Sequence, residues 1–189
     1  MEDLLWLWIT LGVLLIIGLV LAIGYIVILN SFKKVHIQSK TIMQDIHNLI
    51  LEKYQIMNRT IELTKRELAD DAKVIAQMQE IPQVALDDTT ERKQTIVNEI
   101  SLSMQVLLEK INTVDKLKSL KSVHEQKELW IVAEESLSFA RLKYNEKVST
   151  YNHRITTFPT RLVASIKKIK PLKFFEPESI DFKQHITSN

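Results

Sequence analysis

Residues 123–158 read VHEQKELWIVAEESLSFARLKYNEKVSTYNHRITTF, and this stretch decides the fold. Large side chains recur in it every seven residues without a gap, namely Val123, Trp130, Leu137, Tyr144, Tyr151 and Phe158. Further apolar positions between them are Ala133, Ala140, Val148 and Ile155. A seven-residue apolar repeat forms one stripe on an α-helix and packs against other helices with a left-handed, coiled-coil-like twist. The stretch therefore predicts a long, buried helix that Pro159 ends.

The composition of the rest of the chain agrees with an all-α fold. The 189 residues include no cysteine and only three glycines, all of them before residue 25. Because hairpins use glycine to reach positive φ, a β-barrel or sandwich is disfavoured. Glycine-rich phosphate loops are excluded beyond the third glycine. The lack of cysteine excludes thiol catalysis, disulfides, zinc–thiolate sites and iron–sulfur clusters.

Two further long helices are predicted upstream of this stretch. An apolar stripe at three- and four-residue steps, free of proline and glycine, predicts a first helix that runs unbroken to about Glu80, before Pro82. The second helix is expected to begin at a capping box in which Asp88 accepts a free backbone N–H and Glu91 reaches back. Its stripe consists of Ile96, Ile100, Met104, Leu107, Ile111 and Val114.

A third helix, which carries the decisive stretch, and a short C-terminal helix complete the prediction. The third helix is expected to begin at a capping-box-like sequence around Ser122, and the short amphipathic helix covers about residues 160–170. The predicted fold is thus all-α: an N-terminal transmembrane helix that continues into an antiparallel up-and-down bundle of three long helices plus the short one.

Residues 4–29 predict the transmembrane helix. None of the 26 carries a formal charge and 22 are apolar. Such a helix is about 39 Å long, which exceeds the roughly 30 Å hydrocarbon core of a bilayer. The alternative is a cleaved signal peptide, which has a basic start and a shorter apolar core. Because this chain starts with Glu2 and Asp3 and its apolar run is too long, we expect a retained anchor.

The charges that flank residues 4–29 predict the orientation. Lys33, Lys34 and Lys40 follow the apolar run, whereas the N-terminal flank has no lysine or arginine. Basic residues favour the cytoplasmic side, so we expect a single-pass protein with its N-terminus outside. The expected division is an external N-terminus (1–3), a span through the lipid bilayer (4–29), a cytoplasmic helical bundle (30–176) and a loose tail (177–189).

The decisive stretch and its C-terminal continuation, residues 134–176, resemble the LemA family of bacterial membrane proteins. The resemblance lies in Ala140-Arg141-Leu142-Lys143-Tyr144-Asn145-Glu146, in Tyr151-Asn152, in Phe158-Pro159 and in Phe174-Phe175-Glu176. It implies a single-pass protein of the bacterial cell membrane with a cytoplasmic helical bundle and no established enzymatic activity. The residues singled out as its signature are Glu134, Arg141, Tyr144, Asn145, Tyr151, Asn152, Phe158, Pro159, Phe174 and Phe175.

Structural roles are expected for several signature residues. Glu134 and Arg141 lie on the flank of the stripe, either as a pair that fixes helix register or as a buried polar site. Asn145 and Asn152 recur at seven residues and are also expected to fix register between helices. The segment around Phe174 and Phe175 is expected to cover the end of the bundle far from the lipid, because the third helix of an up-down-up bundle runs away from the membrane.

The sequence predicts no catalytic, cofactor-binding or metal-binding residues. None of the five histidines has another histidine three or four residues away, as a helical metal site would need. The modest net charge of +2 gives no argument for nucleic acid. Two functions remain. The first is a non-enzymatic, membrane-anchored scaffold or adaptor that presents a helical rod to unknown protein partners, with self-association left open. The second is a small-ligand receptor or enzyme with a site between the bundle helices.

Overall fold

The computed structural model describes residues 1–176, and these fold into helices and connecting segments without a β-strand. The predicted tail, 177–189, lies outside the described residues. The helices are α1 (Glu2–Thr64), α2 (Ala72–Gln79), α3 (Thr90–Thr113), α4 (Asp115–Lys118), α5 (Lys121–Thr156) and α6 (Thr160–Ile166), and a 3-10 turn covers Ala69–Asp71. The prediction of an all-α fold is therefore confirmed.

The predicted extent of the first helix is wrong, because α1 ends at Thr64 rather than near Glu80. The buried hydroxyls of Thr60 and Thr64 donate to backbone carbonyls four residues earlier, at 2.8 and 2.9 Å. Such bonds compete with the regular helical ladder and destabilise it slightly. Leu68 is nevertheless buried, so the apolar stripe continues into the core after the helix has ended.

The second predicted helix corresponds to α3 and begins one residue later than expected. The N-cap is Thr89, whose hydroxyl accepts from the Arg92 N–H at 3.2 Å. The Asp88 carboxylate instead accepts from the Ala85 N–H at 2.7 Å and so stabilises the preceding loop. The predicted stripe is confirmed at its first five positions, which are all buried: Ile96, Ile100, Met104, Leu107 and Ile111.

The seven-residue stripe on α5 is buried at most of its positions. The buried members are Val123, Ala133, Leu137, Ala140, Tyr144, Val148 and Tyr151. Three expectations fail, because Trp130 and Ile155 are only half-buried and Phe158 is 77% exposed. Phe158 leaves the stripe because α5 ends at Thr156, two residues before it.

The chain forms two compact units. Among the described residues, the first unit consists of residues 1–40 and 147–172, and the second of residues 41–146 and 173–176. In the second unit the buried stripes of α1, α3 and α5 supply most of the apolar core. Of the described helices, α1 alone is long and apolar enough to span a membrane, judged by length and composition.

The first unit packs the end of α5 beside the part of α1 that follows the apolar run. Phe32 and Tyr151 meet edge to face with ring centroids 5.7 Å apart, and the Arg154 guanidinium donates to the Ser31 hydroxyl. We expected the end of this helix to lie far from residues 4–29, and that expectation is wrong. It rested on an up-down-up order of the three long helices. In the second unit Lys53 instead meets Ser101 and Glu67 meets Lys116, so the chain from α3 onward runs in the same direction as α1 and only α5 returns.

The corrected stripe predicts that truncating a buried side chain on α5 and truncating the exposed Phe158 after its end affect stability differently. Leu137→Ala should lower the free energy of unfolding by about 2–5 kcal/mol, because Leu137 is 0% exposed and its removal leaves a cavity. Phe158→Ala should change it by no more than about 0.5 kcal/mol, as for other surface substitutions. Denaturant unfolding of the full chain in detergent, followed by circular dichroism, measures both values. Similar losses for the two variants would contradict the assignment.

Candidate functional site

A lysine side chain is buried in the core of the second unit. Lys53 lies on α1 between the buried residues Ile50 and Met57 and is 0% exposed. Its Nζ donates to the Ser101 hydroxyl on α3 at 2.8 Å and forms an ion pair with Glu134 on α5. We call Lys53, Ser101, Trp130 and Glu134 the Lys53 cluster, since the Trp130 ring centroid also lies 4.3 Å from Nζ.

Sequence reasoning missed Lys53, although the sequence contained a signal. Lys53 follows Ile50 by three residues and precedes Met57 by four, which is the spacing of the apolar stripe on α1. Trp130 and Glu134 are four residues apart and therefore share one face of α5. A lysine within an apolar stripe needs a counter-charge, and Glu134 provides it.

Burial and ion pairing act on the pKa of Lys53 in opposite directions. Burial lowers the pKa of Lys53, the hydrogen bond to Glu134 and its negative charge raise it, and the positive charge of Arg141 lowers it further. The Glu134 side chain is 42% exposed, so water reaches one side of the ion pair. The cluster thus joins a buried cation to a carboxylate at the protein surface.

A recess of about 450 Å³ opens beside the Lys53 cluster. Its lining consists of Ser101, Leu102, Gln105, Leu108, Glu109, Asn112, Trp130 and Glu134. The Ser101 hydroxyl and the Lys53 amino group, 2.8 Å apart, have the separation of a nucleophile and its base, but Lys53 is also ion-paired with Glu134. A base would have to be neutral, and Glu134 favours the charged form. Ser101 also lies inside α3, where the ladder occupies the backbone N–H groups that could stabilise an oxyanion.

A second buried lysine, Lys93, fixes the loop before α3. It is 1% exposed, and its Nζ donates to the carbonyl oxygens of Ala85, Leu86 and Asp88 at 2.9, 3.0 and 2.7 Å. These three acceptors match the three N–H donors of an ammonium group. Burial lowers the pKa of Lys93, and the charges of Asp88 and Asp87 oppose that effect. Its role is therefore to hold the loop.

In the second unit, signature residues of α5 bind the segment that leads to Glu176. The Asn145 amide donates to the Phe175 carbonyl at 2.9 Å and accepts from the Phe175 N–H at 2.8 Å. The Tyr144 hydroxyl donates to the Lys173 carbonyl at 3.1 Å. Phe175 itself is buried, and its ring centroid lies 5.3 Å from the Arg141 guanidinium.

The first unit repeats the same arrangement with a second asparagine. Asn152 donates to the Leu172 carbonyl and accepts from the Leu172 N–H, both at 2.9 Å. Asn145 and Asn152 therefore pair with the backbone of the C-terminal segment rather than with a neighbouring helix. This corrects the expectation that they fix helix register.

The remaining signature residues are dispersed. Glu134 pairs with Lys53 on another helix, as expected of a residue that fixes register, whereas Arg141 faces the Phe175 ring. The side chains that the sequence grouped as one signature serve different purposes. Tyr151 packs in the core of the first unit, Phe174 is 40% exposed, and Phe158 and Pro159 are both exposed.

Comparison with known proteins gives one match. A family model described as the LemA family matches residues 42–187, which include the Lys53 cluster and the C-terminal segment. No curated protein and no solved structure matches the chain.

The Lys53 cluster predicts a pH-dependent cost for Glu134→Gln. At pH 7 the variant should lose about 1–3 kcal/mol of unfolding free energy, because a buried ammonium loses its counter-ion. Burial already lowers the pKa of Lys53, and loss of Glu134 lowers it further. At pH values between the pKa of Lys53 in the folded state and its pKa in the unfolded state, the unfolded state binds more protons, so the free energy of unfolding rises with pH. This pH range begins at a lower pH in the variant. The loss should therefore shrink between pH 7 and pH 9.5.

Denaturant titrations at several pH values test this expectation. The matched control is Glu135→Gln, which removes the same charge from the neighbouring, exposed position. A loss for Glu134→Gln that stays constant with pH would show that Lys53 does not depend on this carboxylate.

The asparagine contacts predict that Asn145→Asp loosens the C-terminal segment. The carboxylate still accepts from the Phe175 N–H but no longer donates to the Phe175 carbonyl. A loss of about 1–2 kcal/mol should increase trypsin cleavage after Lys173 roughly 5- to 30-fold, since cleavage follows the population of the open form. Mass spectrometry of the fragments measures the rate. Asn48→Asp, at an exposed position of α1, should leave it unchanged.

Proposed function

The chain belongs to the LemA family, and from that premise we propose that it is a non-enzymatic, membrane-anchored helical scaffold that presents one face of α5 to a protein partner. The supporting observation is a set of large apolar side chains on the outward face of this helix. Ile131, Val132, Phe139 and Leu142, which we call the outer patch, are 56%, 59%, 59% and 67% exposed.

The spacing of the outer patch distinguishes it from scattered surface residues. At 100° per residue the four positions fall within about 100° of arc, on the side of α5 opposite the buried stripe. Exposed apolar patches of this kind mark protein interaction sites. The helix α5 therefore buries most of its stripe in the core and exposes the four apolar side chains of the outer patch on the opposite side.

We propose that the partner docks an amphipathic helix against this patch. When two helices pack with their apolar stripes face to face, both stripes are buried. No backbone group is left unpaired, because each helix makes its own backbone hydrogen bonds. The partner helix should carry basic residues beside its stripe. At 100° per residue Glu128 and Glu135 fall within the same arc of α5 as the outer patch, and the second unit together with residues 177–189 carries 21 acidic against 16 basic residues in the sequence.

The geometry of the Lys53 cluster supports a scaffold over an enzyme. The recess beside it offers one Ser–Lys contact, in which the lysine is an ion-paired donor. Catalysis at Ser101 would need a neutral lysine and free donors for the developing oxyanion. We therefore rank the alternative, an enzyme or receptor with its site between the helices, below the scaffold.

The proposal also includes the membrane topology. The long apolar run of α1 supports anchoring through residues 4–29 in the bacterial cell membrane. The lysines after this run support an external N-terminus and a cytoplasmic remainder. Contacts in the first unit, where Ser31 meets Arg154 and His36 meets Tyr151, support an antiparallel pairing of α1 with α5, because rising numbers in α1 pair with falling numbers in α5.

A photo-crosslinking residue at position 139 of the full chain, introduced in cells, tests the docking face. We expect a specific cross-link to another protein, and the same residue at position 158, which is exposed but outside the outer patch, should not give it. Phe139→Glu should abolish the complex while leaving the melting curve unchanged, because Phe139 is exposed.

Other outcomes would change the proposal. A cross-link to a second copy of the chain would make the outer patch a self-association interface, and a complex that survives Phe139→Glu would move the interface elsewhere. A reporter that is active only in the cytoplasm, fused after Asn189, should be active in the same cells.

A further inference from the structure

Charge is strongly segregated between the two compact units. After the apolar run, the first unit comprises residues 30–40 and 147–172, which contain nine lysines and arginines and no aspartate or glutamate; its two acidic residues, Glu2 and Asp3, precede the run. The second unit has an acidic excess. The basic residues therefore collect in the unit that contains the start and the continuation of the apolar helix.

Within the first unit, a recess of about 420 Å³ combines basic and apolar side chains. Its lining consists of Leu29, Phe32, Lys33, His36, Tyr151, Lys167 and Ile169. Lys33 and Lys167 are exposed and come from distant parts of the sequence, so folding of the unit brings them to one recess. Phe32 and Tyr151 are buried and pack against each other, which gives the recess a rigid aromatic wall.

The position of the recess along α1 is set by the helix itself. Leu29 is the last residue of the apolar run, and Lys33 follows four residues later in the same unbroken helix. At 1.5 Å per residue the two lie about 6 Å apart along the axis. If residues 4–29 span the bilayer, the apolar side of the recess reaches the edge of the hydrocarbon, and its lysines lie at the level of the phosphates.

We propose that this recess binds the headgroup of one anionic glycerophospholipid from the bilayer that α1 spans. Lys33 and Lys167 bind its phosphate, and Leu29 and Phe32 contact the glycerol and the first acyl carbons. Anionic lipid fits better than zwitterionic lipid, because the lysines and arginines of this unit attract a headgroup with a net negative charge. Residues 30–40 and 147–172 contain no carboxylate that could pair with the positive choline group of a zwitterionic lipid. The inference rests on the proposed membrane anchoring.

The recess corrects the expectation that the third helix runs away from the membrane. That expectation would have kept the lysines that follow this helix, such as Lys167, far from lipid. The contact between Arg154 and Ser31 instead joins the end of α5 to the residues that follow the apolar run.

Native mass spectrometry of the purified full chain in detergent, with a mixture of phosphatidylglycerol and phosphatidylcholine, tests the inference. The wild-type chain should retain phosphatidylglycerol preferentially. Lys33→Gln with Lys167→Gln should weaken that retention about 30-fold, since each lysine near an anionic surface contributes about fivefold in affinity. The matched double variant Lys34→Gln with Lys168→Gln removes the same charge from neighbouring positions outside the lining and should retain the lipid.

Each alternative result would overturn the assignment. Equal losses in the two double variants would show diffuse attraction without a site, and equal retention of both lipids would remove the anionic preference. Displacement of the lipid by millimolar inorganic phosphate would identify a free-anion site instead, because the apolar wall would then contribute nothing.

A separate measurement distinguishes failure of this inference from failure of the anchoring proposal. After an alkaline wash of cell membranes, the wild type and both double variants should remain in the pellet, because residues 4–29 hold them there. Release of the wild type by the wash would refute anchoring, and with it the basis of the lipid site. Retention in the pellet without lipid preference would refute the lipid site alone.

Discussion

The buried ammonium of Lys53 is the constraint on which the second unit depends. A charge in an apolar stripe costs several kcal/mol unless it is paired. In this chain the required partners come from two other helices, Ser101 from α3 and Glu134 from α5. A slip of either helix by one turn would leave the ammonium unpaired, so this single group fixes the register of three helices that apolar packing alone would specify only loosely.

In the C-terminal segment, asparagine side chains pair with the polar groups of the backbone. Residues after α6 lack the hydrogen bonds of a helix, and two asparagine side chains replace them. A carboxamide carries one carbonyl and one NH₂ group, so it can satisfy both the N–H and the C=O of a single residue. Asn145 does so for Phe175, and Asn152 does so for Leu172. These two signature residues therefore support the fold by holding the C-terminal segment.

Periodicity predicted which faces are buried but not which partners they meet. The stripe of α3 and most of that of α5 follow the sequence, because burial of apolar side chains is a local consequence of helical spacing. The end of α1 at Thr64 could not be predicted, because neither proline nor glycine marks it. Threonines whose hydroxyls donate to carbonyls four residues earlier, as Thr60 and Thr64 do, also occur inside helices. Lys53 was missed because a lysine is on the surface by default, and its pairing depends on residues far away in sequence.

The segregation of charge bears on how a modest docking face would serve the proposed membrane-anchored scaffold. Four exposed side chains on α5 bury too little area for high affinity between free proteins. The proposed anchoring would confine the chain to a surface and so raise its effective concentration toward any partner on that surface. On the same proposal, anionic lipid would attract the basic first unit and repel the acidic second unit. A partner with basic flanks would therefore be steered to the second unit and its outer patch, and not to the basic unit.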